Sequence, residues 1–155
     1  ELVVLPTPEE VDFYAAQTVQ DQIVTNPNSI ITWPTGSSPV GMDKLLVQAG
    51  LDWSGIRIKN LDEYYPINPK HPASYAAFMR RHLIDHINIL PENWEIPNGM
   101  AENPDEESAR FERVFAEFGP VKLAILGIGP GTTCHIGFNE WGSQLDSRTR
   151  YFVTR

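Results

Sequence analysis

Three short stretches combine small, turn-forming residues with side chains that can bind an anion or move a proton. Residues 34–38 read PTGSS, residues 60–65 read NLDEYY, and residues 125–140 read ILGIGPGTTCHIGFNE. Hydroxyl groups and backbone N–H groups at a helix start suit a phosphate. Carboxylates and imidazoles are the common general bases and acids of enzymes. Together the three stretches indicate a site that binds a small ligand and transfers protons.

The first stretch contains four candidate ligand-binding residues. Gly36 permits a tight turn and a close approach of the backbone, and Thr35, Ser37 and Ser38 supply hydroxyl groups. A capped helix start without any ligand would use the same small polar residues, so both interpretations stay open at this point. The stretch is not a Walker loop, because the glycine–lysine signature of that loop is absent.

Asp62, in the second stretch, is the candidate general base. A carboxylate at the end of a strand, partly shielded from water, has its pKa raised toward the range in which a base works. Its neighbour Glu63 should point in a different direction, so we expect one of the two carboxylates to enter the site. A solvated turn is the alternative for both.

The third stretch places His135 and Glu140 five residues apart. A neutral imidazole can accept or donate a proton near pH 7, and a carboxylate can orient it. The alternative is a histidine that caps a turn, with Glu140 in solvent. Cys134 is expected to be a small buried thiol rather than a nucleophile, because adjacent side chains rarely face each other. His82 and His86, four residues apart, lack a third ligand, so no metal site is predicted.

The elements that must position these stretches alternate between helix and strand. Helices are predicted at residues 9–24, from 39, from about 72 and at about 105–118, and strands at residues 29–33, 56–60 and 121–129, with a further strand starting near 149. Thr7 and Ser38 are predicted N-caps, and Gly50 is a predicted helix stop. Alternation of this kind predicts an α/β fold with a parallel sheet. The three stretches follow strands, so they should converge at one edge of that sheet.

Composition narrows the classes of function. The 155 residues suit one domain, 1–155, and a formal net charge of −8 argues against a nucleic-acid surface. No apolar run approaches the roughly 20 residues that cross a membrane, and the first residues lack the basic region of a signal peptide. A single cysteine fits a reducing compartment. We therefore expect a cytoplasmic protein without membrane or nucleic-acid partners.

Five segments in this order resemble glucosamine-6-phosphate deaminases, also called glucosamine-6-phosphate isomerases. They are TWPTGSSPVGMDKL, KNLDEYY, HPASYAAFM, LGIGPGTTCHIGFNE and GSQLDSRTR, and the similarity runs from about residue 30 to about residue 150. The resemblance implies an α/β, Rossmann-like three-layer domain with a mainly parallel sheet. It also implies the conversion of glucosamine 6-phosphate and water to fructose 6-phosphate and ammonia, by aldose–ketose isomerisation and deamination.

The resemblance assigns roles to the candidate residues. Asp62 would move a proton between C2 and C1, His135 would assist opening of the sugar ring, and Glu140 would orient the imidazole. No metal or organic cofactor is implied, and the expected partner is a small-molecule sugar phosphate. The oligomeric state stays open, with a homo-oligomer as one option. Substrate binding would fall to Thr35, Gly36, Ser37, Ser38 and Gly129.

Three departures from the family pattern keep two alternatives open. The PGTTCH segment has no acid beside His135 and carries Cys134 where glycine is usual, and Trp141 replaces the usual proline. Family members also continue well beyond residue 155, so we expect the C-terminal portion of the fold to be absent. The alternatives are a 6-phosphogluconolactonase-like hydrolase and a sugar-phosphate-binding fragment that has lost catalysis.

Overall fold

The computed structural model describes residues 2–129 and 134–153, in which helices alternate with parallel strands. Two 3₁₀ helices, Ile84–His86 and Pro91–Asn93, connect the third helix to the third strand. The main elements, in chain order, are α1 (Pro8–Thr25), β1 (Ile30–Trp33), α2 (Val40–Gln48), β2 (Arg57–Asn60), α3 (Tyr75–His82), β3 (Trp94–Glu95), α4 (Pro104–Phe118) and β4 (Leu123–Ala124).

The four strands form one parallel sheet in the order β3-β2-β1-β4. Ile31 of β1 pairs with Ile58 of β2 on one side and with Leu123 of β4 on the other. The chain moves outward from β1 to β2 and β3, and it then returns through α4 to the opposite side of β1. This reversal creates a switch point between β1 and β4, where parallel sheets commonly bind ligands at their carboxyl ends.

Helices cover both faces of the sheet, which confirms the predicted α/β architecture. Ile31 and Ile58 point to one face and pack with buried residues of α1, α2 and α3. Lys59 points to the other face because side chains alternate along a strand. Its ammonium lies 4.1 Å from the Phe115 ring centroid and 4.3 Å from that of Phe118, both on α4. Cation–π contacts thus help to attach α4 to the sheet.

The start of α1 confirms its predicted cap, whereas the start of α2 does not. The Thr7 hydroxyl accepts a hydrogen bond from the Glu10 N–H at 3.2 Å. The prediction that Ser38 caps α2 is wrong, because Pro39 occupies the N-cap position and its carbonyl accepts the Asp43 N–H at 2.8 Å. Gly50, with φ of +63°, follows the end of α2 as predicted.

Other boundaries differ from the sequence predictions for physical reasons. The strand predicted at residues 121–129 is confined to β4, because the chain beyond residue 125 passes the end of β1. The helix expected from about residue 72 begins at Tyr75, since Ser74 caps it. No strand forms over residues 149–153, and β3 was not predicted. No helix within the described ranges is long and apolar enough to cross a membrane.

Candidate active site

Asp62 lies two residues beyond the end of β2 and lines a cavity of about 470 Å³. The cavity is bounded by the Asp62 loop, by α4 and by residues 136–139 and 147–153. Burial raises the pKa of the Asp62 carboxyl to about 6, and the negative charge of Glu63 adds to the effect. Asp62 is therefore mostly ionised at neutral pH yet holds a proton more firmly than an ordinary aspartate, as a general base requires.

The carboxylate of the neighbouring Glu63 accepts hydrogen bonds from the start of α3. One of its oxygens accepts hydrogen bonds from the Ser74 hydroxyl at 2.7 Å and the Ala76 N–H at 2.9 Å. The other accepts from the Tyr64 N–H at 2.8 Å and the Tyr75 N–H at 3.0 Å. These bonds satisfy N–H groups that a helix leaves free at its first turn. Glu63 thus fixes α3 against the loop that carries Asp62.

The PTGSS loop connects β1 to the first turn of α2. Gly36 has a φ of +98°, a backbone conformation that favours glycine. Gly36, Ser37 and Ser38 are exposed to solvent. The first N–H groups of α2 have no partner within the helix, so they are available to an anion beside this loop. The geometry is compatible with the predicted binding of a phosphate.

The third loop reaches Asp62 through Gly137. A Cβ atom built on Gly137 would lie 3.3 Å from the Asp62 Oδ2, so the backbone of this loop passes close to the carboxylate. The His135 ring packs against Gly129, and any side chain at that position would overlap the imidazole. The Gly129 N–H also donates to the His135 carbonyl at 2.8 Å. Gly129 therefore gives room to His135, and its contact with substrate remains a prediction.

Tyr75, which the sequence analysis missed, touches all three loops. Its hydroxyl lies 3.4 Å from the Tyr64 hydroxyl, and it also interacts with the Thr35 side chain, which opposes the rise of its pKa. Its ring centroid lies 5.0 Å from that of Tyr64 and 5.7 Å from that of Phe138. Burial raises the pKa of Tyr75, the hydrogen bond with Tyr64 raises it further, and so does the charge of Asp62. An aromatic residue in the first turn of the helix after NLDEYY was the available signal.

Glu140 and Cys134 lie outside the cavity that contains Asp62. They line an adjoining surface depression, which shares Ile136, Asn139 and Ser147 with that cavity. There the Glu140 carbonyl accepts the Ser143 N–H at 3.0 Å. The prediction of a buried thiol is wrong, because Cys134 is exposed, with φ of +45°. Residues 130–133 of the PGTTCH segment lie outside the described residues. The PTGSS loop and His135 do not line the cavity that contains Asp62. They are linked to the Asp62 loop through Tyr75 and Gly137, and the orienting role of Glu140 remains a prediction.

Glu112 of α4 also lines the cavity and fixes residue 149 of its wall, a role that no sequence motif indicated. Its Oε1 accepts hydrogen bonds from the Thr149 N–H at 2.7 Å and from the Thr149 hydroxyl at 2.6 Å. These bonds lower the pKa of Glu112, and Arg148 lowers it further. A long-range contact of this kind leaves no local pattern in the sequence.

The two histidines that are four residues apart lie on different elements, His82 at the end of α3 and His86 in the 3₁₀ helix that follows it. The His86 Nε2 lies 2.9 Å from the Arg81 carbonyl, and His82 belongs to α3. In the parts of the chain that the structure describes, no group of three or more potential ligand side chains is arranged to hold a metal ion.

Comparisons with known proteins place this geometry in a family. The family model described as glucosamine-6-phosphate isomerases/6-phosphogluconolactonase matches residues 9–136. A glucosamine-6-phosphate deaminase of Thermoanaerobacter sp. is 41% identical over 145 residues, which cover 91% of this chain and 56% of that protein. One from Clostridium botulinum is 39% identical over 152 residues, covering 96% of this chain and 62% of that protein.

Solved structures agree with the family match. The structure of a monomeric glucosamine-6-phosphate deaminase superposes with a TM-score of 0.89 at 33% identity, covering 93% of this chain and 61% of that one. A 6-phosphogluconolactonase from Thermotoga maritima has a TM-score of 0.74 at 17% identity, which shows a shared fold. The chain thus spans between 56% and 62% of the length of these deaminases. From the match over residues 9–136 and the shared architecture, we conclude that the chain belongs to the glucosamine-6-phosphate isomerase/6-phosphogluconolactonase family.

Proposed function

We propose that this chain carries the catalytic edge of a glucosamine-6-phosphate deaminase, which converts glucosamine 6-phosphate and water to fructose 6-phosphate and ammonia. The observation that carries the proposal is Asp62, whose pKa is raised to about 6 beside a cavity of about 470 Å³. The similar proteins are named glucosamine-6-phosphate deaminases, which supports the proposal, and the chain spans 56% to 62% of the length of the two curated ones.

The substrate phosphate would bind at the PTGSS loop. The hydroxyls of Ser37 and Ser38 and the first N–H groups of α2 offer donors to its oxygens. The Thr35 side chain also interacts with Tyr75, so it links this loop to the start of α3. Gly36 leaves the backbone accessible because it has no side chain.

Asp62 would carry out the proton transfer that converts the aldose to a ketose. Its carboxylate removes the proton from C2 of the open-chain sugar while O1 gains a proton, and it then returns the proton to C1. The nitrogen at C2 is then part of an imine, and water replaces it with release of ammonia. A base with a pKa near 6 can accept and return a proton at neutral pH.

His135 would act on the ring oxygen during ring opening, with Glu140 as the group that orients it. Gly129 supports this assignment because it leaves room for the imidazole and binds the His135 backbone. We expect His135→Gln to slow turnover of the cyclic substrate far more than turnover of an open-chain analogue. Equal losses on both substrates would remove His135 from ring opening.

Turnover of two substrates, measured side by side, tests the proposal against its alternatives. We expect ammonia release from glucosamine 6-phosphate and no acid production from 6-phosphogluconolactone. Hydrolysis of the lactone without ammonia release would favour the 6-phosphogluconolactonase-like alternative, whose support is a shared fold at 17% identity. Binding of the sugar phosphate without turnover of either substrate would identify a binding fragment.

The proposed reaction bears on the cellular location, the cofactors and the partners of the protein. A cytoplasmic location fits the single cysteine and the small metabolite that the site would use. The proposed chemistry needs no metal or organic cofactor, since a carboxylate and an imidazole supply the proton transfers. A homo-oligomer stays an open expectation; the structurally similar deaminase is described as monomeric.

A further inference from the structure

A chain of side-chain hydrogen bonds runs through the interior below the site. The Trp94 indole N–H donates to the Asn60 Oδ1 at 2.9 Å, and the Asn60 amide N–H donates to the Trp33 carbonyl at 3.0 Å. The Trp33 indole N–H then donates to the Asp43 Oδ1 at 3.0 Å. This chain of hydrogen bonds therefore crosses β3, β2 and β1 and ends on α2.

This hydrogen-bond chain lies next to the two loops that carry the PTGSS segment and Asp62. Trp33 and Asn60 are the last residues of β1 and β2, and they are partners in the sheet register. Each lies two residues before a candidate functional residue, Thr35 in one loop and Asp62 in the other. The Asn60 side chain uses its oxygen toward β3 and its nitrogen toward β1, so both ends of the amide are fixed.

Burial makes the geometry of the chain restrictive. Trp33, Asp43 and Asn60 are each 0% exposed. A buried polar group that loses its partner is costly, so each bond in such a chain tolerates little displacement. Apolar side chains of similar size could fill the same space, but they would not fix these directions.

Asp43 can keep its hydrogen bond with Trp33 whether or not its carboxyl group is ionised. Burial raises its pKa to about 7 against the lowering effect of the Trp33 hydrogen bond, and Asp12 of α1 raises it further. Among the described residues, the Asp43 Oδ2 has no hydrogen-bond partner, so it can carry the proton while Oδ1 accepts from Trp33. An asparagine at position 43 would preserve the accepting oxygen.

We propose that the buried chain Trp94–Asn60–Trp33–Asp43 sets the spacing between the PTGSS loop and Asp62, so that Asn60 and Asp43 are positioning residues for the reaction. The catalytic part of this inference rests on the proposed function. The mechanical part, coupling of the two loops, does not depend on which reaction the site performs.

An amide-resolved NMR comparison tests the coupling without any substrate. Asp43→Ala should shift the backbone amides of the PTGSS loop and that of Asp62, although Asp43 lies on α2. Asp43→Asn should leave both near their wild-type positions. Leu46→Ala is the matched control, because Leu46 is 1% exposed on the same helix and takes no part in the chain.

Two results of that comparison would overturn the proposal. One is an Asp62 amide that moves as much in Leu46→Ala as in Asp43→Ala, and the other is an Asp62 amide that moves in neither. If Asp43→Ala does not fold, Trp94→Phe perturbs the opposite end of the chain. The amides of the PTGSS loop should then shift, and unchanged loop amides would equally refute the coupling.

Kinetics on glucosamine 6-phosphate test the catalytic part. Asp43→Ala should raise KM and lower kcat, with a combined loss of about tenfold or more in kcat/KM, because small displacements of reacting groups are costly. Asp43→Asn should restore both constants. A loss in Asp43→Asn equal to that in Asp43→Ala would refute positioning through the hydrogen bond. Absence of ammonia release from the wild-type chain would count against the proposed function alone, because the NMR comparison still decides the coupling.

Discussion

Replacement of Asp62 by asparagine should make the folded protein more stable at neutral and alkaline pH while it removes the proposed base. Burial raises the pKa of this carboxyl from its ordinary value of 3.8 to about 6. The difference of about 2 pKa units corresponds to about 3 kcal/mol of unfolding free energy, at 1.36 kcal/mol per unit. Asparagine has a similar shape and carries no charge, so it avoids this cost.

The direction of the effect with pH follows from where the proton binds. Below about pH 3.8 the carboxyl of Asp62 is protonated in both the folded and the unfolded protein. Ionisation of Asp62 therefore takes nothing from the unfolding free energy in this range. Between pH 3.8 and about 6 the folded state holds the proton more firmly, so stability falls as the pH rises through this window. The advantage of Asp62→Asn should therefore be small at pH 4 and approach about 3 kcal/mol at pH 8.

Urea unfolding of the two proteins at several pH values measures this difference. Asp52→Asn is a suitable comparison, because hydrogen bonds from Ser54 and Asn88 lower the pKa of Asp52. Its replacement should cost stability as the pH rises, the opposite trend. An Asp62→Asn difference that stays constant with pH, or that shrinks as the pH rises, would refute the raised pKa and with it the choice of base.

Three further predictions concern the same loops. The rate of ammonia release at low substrate concentration should rise about tenfold per pH unit up to about pH 6 and then level off, because Asp62 ionises over this range. A rate that stays constant between pH 4 and 6 would contradict this. Glu63→Gln should lower the unfolding free energy by about 1–3 kcal/mol, because two hydrogen bonds to the start of α3 lose their acceptor; unchanged urea unfolding would refute that role. Cys134→Gly should raise stability by up to about 1 kcal/mol, because the φ of +45° at Cys134 favours glycine; a lower melting temperature would show that contacts of the thiol outweigh backbone strain.

The sequence was a good guide where a local pattern determines the structure. The cap at Thr7 and the glycine stop after α2 depend on neighbouring residues, so they could be predicted. The position of Asp62 after a buried strand followed from the alternation of helices and strands. That alternation also predicted that the loops after β1, β2 and β4 meet at one edge of the sheet, which the contacts of Tyr75 and Gly137 confirm.

The sequence was a poor guide where distant residues determine the structure. β3 has two residues, too few for a hydrophobic period, and it exists because Trp94 pairs with Ile58 of β2. In the sequence, Glu112 looks like an ordinary surface residue of a helix, because its role depends on a contact with the distant Thr149. Ser38 fits the local pattern of a cap, yet the first helical hydrogen bond starts one residue later, at Pro39.

The most direct test of the proposed reaction is ammonia release from glucosamine 6-phosphate at pH 7.5, measured for this chain and for its Asp62→Asn variant. We predict release by the wild-type protein that disappears in the variant, with urea unfolding as evidence that the variant is folded. Equal release by both proteins would exclude Asp62 as the base. No release by the wild-type protein would contradict the proposal that this chain carries a working deaminase site.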